Sequence, residues 1–376
     1  MKLSSNALEI GLRVAAEIEP RADAANRAGT LNPADLTSLT TAGFTALPVP
    51  RAYGGHGASL RDCVAAQVAI AQANPSTALI AGMNLHVIGQ QRETLSWREG
   101  KFAEYCRAII TDGALINSLA TEPALGSPSR GQFFKTKAHT VTGGYRISGQ
   151  KTMATGGEYL THMLVNLSID DDKTGVIRVP QAADGVRWEN TWQDVLSFRA
   201  SESHDVHFDN VFVEAEHLVS ISRGKPTVNI WFPLIMSSIY HGAAMGARNA
   251  LIKYALERVP TALGRPIATL PKIQRQIGEI DLRLQAAEAL LFEVAGQWQG
   301  KAEQRDQFKA RLAAAKEMVT GTALFVTDRA LQVAGAVSLT AALPLERFFR
   351  DVRAGAMQPP SGDTALELIG RTALGI

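Results

Sequence analysis

The stretch that decides how this chain is interpreted is residues 119–131, which read LATEPALGSPSRG. It places Thr-Glu-Pro and then a Gly-Ser loop directly before a run of strand-like sequence, and it holds no nucleophile with a base beside it. A loop of this kind offers backbone amides and a hydroxyl, so it predicts contact with something flat and polar. The alternative for Thr121 and Ser127 is a plain turn that leads into a strand.

The composition narrows the class of protein. A length of 376 residues predicts two or three packed units, and 46% hydrophobic residues allow a sizeable core. The net charge of +2 gives no reason to expect nucleic acid or an anionic membrane as partner. Cys63 and Cys106 form no disulfide framework and fit a reducing compartment. The N-terminal segment predicts an amphipathic helix, and no apolar run approaches about 18 residues. We therefore expect a soluble, cytoplasmic protein.

The residues around the loop alternate in polarity. Residues 135–151 read KTKAHTVTGGYRISGQK, a hairpin pattern around Gly143-Gly144, and residues 202–213 alternate in the same way. This pattern predicts a small antiparallel β unit over residues 113–220.

Helical periodicity fills the rest of the chain. It predicts an N-terminal helical domain (residues 1–112) and a C-terminal one (225–376) after a linker at 222–229. The predicted helical segments are 5–28, 33–43, 60–73, 76–95, 231–258, 271–299, 305–335 and 343–353. Gly242 and Gly246 stand four residues apart, which predicts close approach of another helix. The order differs from βαβ repeats and no GxGxxG follows a strand, so the pattern argues against a Rossmann fold.

Six phrases in this order resemble the acyl-CoA dehydrogenase family of flavoproteins. They are LPVPRAYGGHGASL, ATEPALGSPSRGQFFKTKA, GGYRISGQKTMATGG, SFRASESHDVHFDNVFV, YALERVPTALGRPIATLPKIQ and DRALQVAGAVSLTAALPLERFFRDVR. The resemblance spans nearly the whole chain. It implies an α+β fold of three domains: an N-terminal helical domain, a central antiparallel β-barrel and a C-terminal four-helix bundle.

The resemblance also implies FAD as cofactor. Ser118, Thr121 and nearby amides would face the pyrimidine side of the ring, where reduced flavin carries negative charge. Thr155 would bond near N5, and Gly126 and Ser127 would lie where the diphosphate of FAD or substrate phosphates pass.

Further positions follow from the same resemblance. Met153 stands where the family usually has Trp, and it would cover a ring face, fill the core, or do both. Arg258 would reach the FAD diphosphate of a neighbouring subunit, while Gln332 and Gly335 would lie near the adenine end. The alternatives are a solvated Arg and a helix-surface Gln. A shared site implies a homo-oligomer, a dimer or a tetramer.

The usual catalytic carboxylate is missing from this sequence. The family's Glu removes the α proton of an acyl thioester, and counting without gaps puts Pro359 at its position. The family's second base position falls near Phe232 and Pro233. Asp363 is the candidate base if the preceding loop is rearranged, and the alternative is that Asp363 caps the following helix.

A second function needs no such base. Some relatives are two-component monooxygenases that use reduced flavin and oxygen, and there His86 would assist. Their usual tail His is absent, since Gln358 stands near that position. His86 and His241 have the alternative of being ordinary packed residues.

The leading hypothesis is an acyl-CoA dehydrogenase-type oxidoreductase that acts on an acyl thioester or related substrate. Its electron partner would be an acceptor flavoprotein, or a flavin reductase for a monooxygenase acting on aromatic substrates. A third class is a flavin- or acyl-binding protein that lost catalysis.

Overall fold

The N-terminal part of the chain is helical, as the sequence predicts. In this computed structural model the described residues are 5–123, 134–170, 173–222 and 227–376. The first five helices are α1 (Ser5–Ala28), α2 (Pro33–Thr41), α3 (Leu60–Ala73), α4 (Pro75–Thr94) and α5 (Lys101–Asp112). Polar caps define two of the starts. Ser59 and Asp62 form a reciprocal capping box before α3, and the Asn74 side chain accepts from two amides of the first turn of α4.

The middle of the chain forms one eight-stranded sheet. The strands are β1 (Ile116–Leu119), β2 (Lys137–Val141), β3 (Gly144–Lys151), β4 (His162–Ile169), β5 (Lys173–Val179), β6 (Val186–Glu189), β7 (Asp205–Glu214) and β8 (Leu218–Ile221). The predicted hairpin is confirmed, because β2 and β3 pair antiparallel across a turn at Gly143, whose φ is 81°.

The predicted antiparallel barrel is wrong in two respects. The strand order is β6-β7-β3-β2-β4-β5-β8, with β1 on β4, and within the described residues β6 and β8 do not pair to close it. The sheet is also mixed, because β1 and β2 both run parallel to β4. Alternation of side chains reports a strand's two faces, but it does not report which strands become neighbours.

β1 and β2 share one edge of β4. β1 pairs with residues 162–165, and the first two residues of β2 pair with Ser168 and Ile169. The connection between β1 and β2 therefore starts and ends at the same edge of β4. This connection contains most of the 119–131 stretch.

The C-terminal part returns to helices. They are α6 (Trp231–Glu257), α7 (Pro271–Gln297), α8 (Arg305–Ala334), α9 (Leu345–Asp351) and α10 (Gly362–Leu374). α6, α7 and α8 pack against one another, and α10 packs on α8. The four segments predicted over 231–353 begin and end within two residues of the observed α6, α7, α8 and α9.

The predicted close approach at Gly242 and Gly246 is confirmed. α6 packs on α3 there, and a Cβ on Gly242 would lie 2.5 Å from the Val68 carbonyl oxygen. A Cβ on Gly246 would lie 2.5 Å from the Gln72 carbonyl oxygen. Because only glycine leaves this space, the N-terminal and C-terminal helices share one continuous hydrophobic core.

The described helices include no candidate membrane span. None of them, within the described ranges, combines the length and the apolar character needed to cross a bilayer.

Candidate active site

Residues 117–121 at the end of β1 and residues 152–155 after β3 lie side by side and form one surface, the strand-end wall. The Thr152 amide donates to the Thr121 carbonyl at 3.0 Å, and Asn117 Nδ2 donates to the Thr155 carbonyl at 2.9 Å. Residues 118–121 and 153–155, predicted separately as cofactor-binding, are therefore brought together. Gly126 and Ser127 lie outside the described residues.

Hydroxyl groups are concentrated along this wall. Ser118 Oγ accepts from Asn166 Nδ2 at 2.8 Å, and Thr155 Oγ1 lies 2.9 Å from Ser203 Oγ. Ser203 Oγ lies in turn 2.7 Å from Ser201 Oγ. Ser201 and Ser203 were not among the residues predicted from the sequence. Their spacing of two residues before a strand was the available signal, since such residues point to one face.

A buried ion pair stands directly behind Thr121. Lys151 Nζ lies 2.6 Å from Glu122 Oε1, and both side chains are almost fully buried. Glu122 also accepts from the Lys135 and Thr136 amides at 2.7 and 3.0 Å. The pair thus holds both described ends of the β1–β2 connection, at Glu122 and at Lys135–Thr136, against β3.

Both members of this pair are charged near neutral pH. Burial alone would raise the pKa of Glu122, but the hydrogen bonds from Lys151 and Thr136 outweigh it and lower that pKa. Burial lowers the pKa of Lys151 to about 8, with the carboxylate opposing the change. The result is a charge-assisted anchor that the sequence analysis did not select.

Met153 is not core filling. Its side chain is 57% exposed and its backbone lies in the left-handed region at φ 54°. The core-filling alternative is therefore wrong, and a role in covering a ligand remains a prediction.

Arg258, Gln332 and Gly335 lie at or near helix ends. The family resemblance assigned them to the diphosphate and adenine end of FAD. Arg258 is exposed and ends α6, where its guanidinium makes no hydrogen bond or ion pair with the described residues. Gln332 is bonded to Asp328 and Arg329 at 2.8 and 3.0 Å, and Gly335 ends α8 with φ 74°. No hydrogen bond joins these three to the strand-end wall within the described chain.

His86 is packed in the interior beside the family's second base position. Its ring meets Phe232 edge-on at 5.0 Å, and Nδ1 is buried without a partner among the described residues. Burial lowers the pKa of His86 to about 3, so the ring is neutral at physiological pH. His241 is also buried, and its nearest acid, Glu288, is 3.9 Å away, too far for a hydrogen bond.

Asp363 is exposed in the first turn of α10. The N-cap of α10 is Ser361, so the alternative that Asp363 is the cap residue is wrong. The carboxylate still lies where the helix dipole stabilises negative charge. Gln358 is half-buried, and its Oε1 has no partner within the described residues.

The wall fits the polar edge of a flavin ring. Such an edge alternates hydrogen-bond donors and acceptors, and here the Ser118 hydroxyl accepts from Asn166 while Asn117 donates to the Thr155 carbonyl. Asn117 Oδ1 is buried and unpartnered in the described chain, which leaves an acceptor beside Thr155. A mixed sheet joined to one helical core, with these hydroxyls at its strand ends, is compatible with a flavin as ligand.

The chain belongs to the acyl-CoA dehydrogenase family. Family models for the N-terminal, middle and C-terminal domains of acyl-CoA dehydrogenase match residues 13–93, 118–211 and 234–358. A relative that carries the name acyl-CoA dehydrogenase, YdbM of Bacillus subtilis (strain 168), is 36% identical over 366 residues, covering 96% of this chain and 94% of its own.

Solved structures share the fold. FMN-bound TdsC from Paenibacillus sp. A11-2, a dibenzothiophene monooxygenase, matches with a TM-score of 0.87 at 23% identity over 98% of this chain and 97% of its own. Butyryl-CoA dehydrogenase from Megasphaera elsdenii matches with a TM-score of 0.86 at 18% identity over 100% and 99%. Membership of this family makes the chain a flavin-dependent oxidoreductase of the acyl-CoA dehydrogenase type.

Proposed function

We propose that the protein catalyses α,β-dehydrogenation of an acyl thioester or a related substrate, with FAD as cofactor. The observation that carries the proposal is the joining of residues 118–121 to residues 153–155, in an acyl-CoA dehydrogenase chain, by the Thr152–Thr121 and Asn117–Thr155 hydrogen bonds. When bound, FAD supplies a hydride acceptor at its N5.

The chain's own residues hold and orient the ligand. Ser118 and Thr121 bind the pyrimidine edge, and Thr155 binds near N5. The exposed Met153 side chain covers one ring face and excludes water. Gly126 and Ser127 bind phosphate oxygens through backbone amides and a hydroxyl.

Asp363 is the base in this proposal. Asp363 is the one carboxylate in the segment between Asp351 and α10's second turn that resembles the family's base region. It is exposed, so its action requires this segment to close over the substrate and desolvate the carboxylate. Asp363→Asn should then lower kcat by about 100-fold or more at unchanged flavin content. Glu367→Gln, one turn further along the exposed face, is the control, and full activity of Asp363→Asn would remove Asp363 from the mechanism.

The direct experiment is optical. Purified protein should carry or take up FAD and show its visible absorption, and anaerobic titration with a panel of acyl-CoA thioesters should bleach it. Bleaching by one chain-length class identifies the substrate. Tight FAD binding with no bleaching by any thioester would contradict dehydrogenation and would favour a binding protein without catalysis.

A second candidate is a reduced-flavin monooxygenase. It is favoured by the absence of a carboxylate at Phe232, and by a neutral, buried His86 packed on that ring. Oxygen consumption with an added flavin reductase and aromatic substrates tests it. His86→Gln should uncouple oxygen consumption from product formation, and product formation at the parental level would exclude His86.

We further propose an oligomeric state, domain boundaries, a cellular location and a redox partner for this protein. Arg258, Gln332 and Gly335 of one subunit would complete the FAD site of another in a homodimer or homotetramer. The domains would span residues 1–112, 113–220 and 225–376, with α6, α7, α8 and α10 as a four-helix bundle, in the cytoplasm. An electron-acceptor flavoprotein is the expected redox partner.

A further inference from the structure

Three buried hydroxyls stand in line at the strand-end wall. Thr155 Oγ1 lies 2.9 Å from Ser203 Oγ, which lies 2.7 Å from Ser201 Oγ. The side chains are 6%, 2% and 0% exposed. Within the described chain, none of the three oxygens has another hydrogen-bond partner.

The backbone holds this line in place. The Gly156 amide donates to the Ser201 carbonyl at 3.1 Å, and the Ala154 amide donates to the His204 carbonyl at 2.9 Å. Glu202, between the two serines, points the other way and accepts from the Leu31 amide at 2.6 Å. The backbone that carries the two serines is therefore fixed next to Thr155 by contacts to two other parts of the chain.

The number of hydroxyl protons limits the donor-to-acceptor direction of the two hydrogen bonds that join Ser201, Ser203 and Thr155. Each hydroxyl has one proton to donate, and two hydrogen bonds join the three oxygens. If a ligand atom next to Thr155 accepts a hydrogen bond, only one arrangement uses every proton: Ser201 donates to Ser203, Ser203 donates to Thr155, and Thr155 donates to the ligand. Every other arrangement leaves a buried O–H of Ser201 or Ser203 without an acceptor, which costs free energy.

We propose that Ser203 is a positioning residue that holds the Thr155 hydroxyl as a hydrogen-bond donor toward the cofactor. This inference rests on the proposed function, in which Thr155 meets flavin N5. The N5 atom of oxidised flavin accepts a hydrogen bond, whereas that of reduced flavin carries a hydrogen. The site therefore binds oxidised flavin more tightly than reduced flavin, and the midpoint potential of the bound flavin is lowered.

The test is the midpoint potential of the bound flavin in Ser203→Ala. Without Ser203 the Thr155 hydroxyl can turn and accept from reduced flavin, so the potential should rise. We expect about a tenfold change in the ratio of oxidised to reduced affinity, which is about 30 mV for a two-electron couple.

Controls separate orientation from general damage. Ser203→Thr keeps the hydroxyl and should keep the parental potential. Ser168→Ala removes another buried serine of the same sheet, one that donates to the Phe134 carbonyl, and should also leave the potential unchanged. If Ser203→Ala does not fold, Ser203→Cys replaces it, and the weaker thiol donor should give a smaller rise of the same sign.

The sign of the shift decides the outcome. A rise supports the inference, whereas an unchanged or lower potential in flavin-loaded Ser203→Ala, or in Ser203→Cys if that variant is used, overturns it. A parent protein that binds neither FAD nor FMN would instead refute the proposed function, and this inference with it.

Discussion

Lys151 and Glu122 are the residues on which the strand-end wall depends most. A lysine in a strand and a glutamate in Thr-Glu-Pro each look ordinary in sequence, yet the two form an ion pair with almost no exposure. The Lys151 ammonium also lies 4.3 Å from the centre of the Phe134 ring. The pair is therefore enclosed, and neither charge can be hydrated if its partner is removed.

Breaking this pair from one side should be costly. Lys151→Met leaves the Glu122 carboxylate buried without its counter-ion, and we expect a loss of about 3–5 kcal/mol in the free energy of unfolding, measured with urea. Lys101→Met removes the more exposed pair with Glu104 and should cost less than about 1 kcal/mol. Equal losses in the two variants would show that the Lys151 charge is not enclosed in solution.

Asp351 joins the C-terminal helices to the β layer. It ends α9, and its Oδ1 accepts from the Phe198 amide at 2.7 Å, while the Ser197 hydroxyl donates to the Arg350 carbonyl at 2.6 Å. Asp351 Oδ2 is buried without a partner in the described residues. Burial raises the pKa of Asp351 to about 6, although Arg347 opposes the rise.

This raised pKa predicts a pH dependence. Because the folded pKa lies above the ordinary value, the stability that neutral Asp351 contributes is present below about pH 4 and is lost as pH rises through about 6. The free energy of unfolding of the parent, minus that of Asp351→Asn, should fall by about 2–3 kcal/mol between pH 4 and pH 7. Urea titrations at these two pH values measure it, and a constant difference would refute the assignment.

The close packing of α6 on α3 depends on glycine, which has no Cβ, at positions 242 and 246. A Cβ on Gly242 would meet the Val68 carbonyl oxygen at 2.5 Å, and backbone there cannot move without displacing α3. Small residues at this crossing thus decide how closely the two helical parts approach.

Gly242→Ala should therefore destabilise the fold by about 1–3 kcal/mol through overpacking. Gly278→Ala is the matched control, because Gly278 lies inside α7 and a Cβ there would meet nothing within 4 Å. That control should be neutral or stabilise by up to about 1 kcal/mol, since alanine favours the helix. Thermal unfolding of both variants compares them, and a stabilised Gly242→Ala would contradict the observed crossing.

The placement of Arg258 bears on assembly. It ends α6 with an exposed guanidinium, and no hydrogen bond connects it to the wall in its own chain. An exposed arginine that pairs with a diphosphate gains paired, charge-assisted hydrogen bonds. The proposal that it serves another subunit's cofactor explains both facts.

Arg258→Ala should weaken FAD retention while leaving the thermal stability of flavin-free protein nearly unchanged. The expected loss is about tenfold or more in affinity, corresponding to one or two charge-assisted hydrogen bonds. Flavin content after gel filtration at several protein concentrations measures it. Arg265→Ala, in the connection that follows α6, is the control. Equal flavin content in both variants and the parent would remove Arg258 from the site.

Local pattern was sufficient for most of the elements. Helical and strand periods depend on neighbours in sequence, so the main helices and the hairpin at Gly143 could be predicted. Thr121 and Thr155 were assigned to the site by the family resemblance, and their roles remain predictions. The linked hydroxyls could not be predicted, because the Thr155–Ser203 contact joins positions 48 residues apart. The same holds for the Glu122–Lys151 pair, whose members are 29 residues apart.

Other features were decided by how distant segments meet. The alternating pattern of residues 113–220 was compatible with a closed barrel, and the parallel placement of β1 and β2 on β4 made the sheet open and mixed. Asp363 became an exposed first-turn residue because Ser361 took the cap position. Composition and periodicity thus settled the type and order of elements, since these arise from short-range sterics and hydrophobic spacing. Strand neighbours, buried charges and hydrogen-bond direction depend on contacts that exist only once the chain is packed.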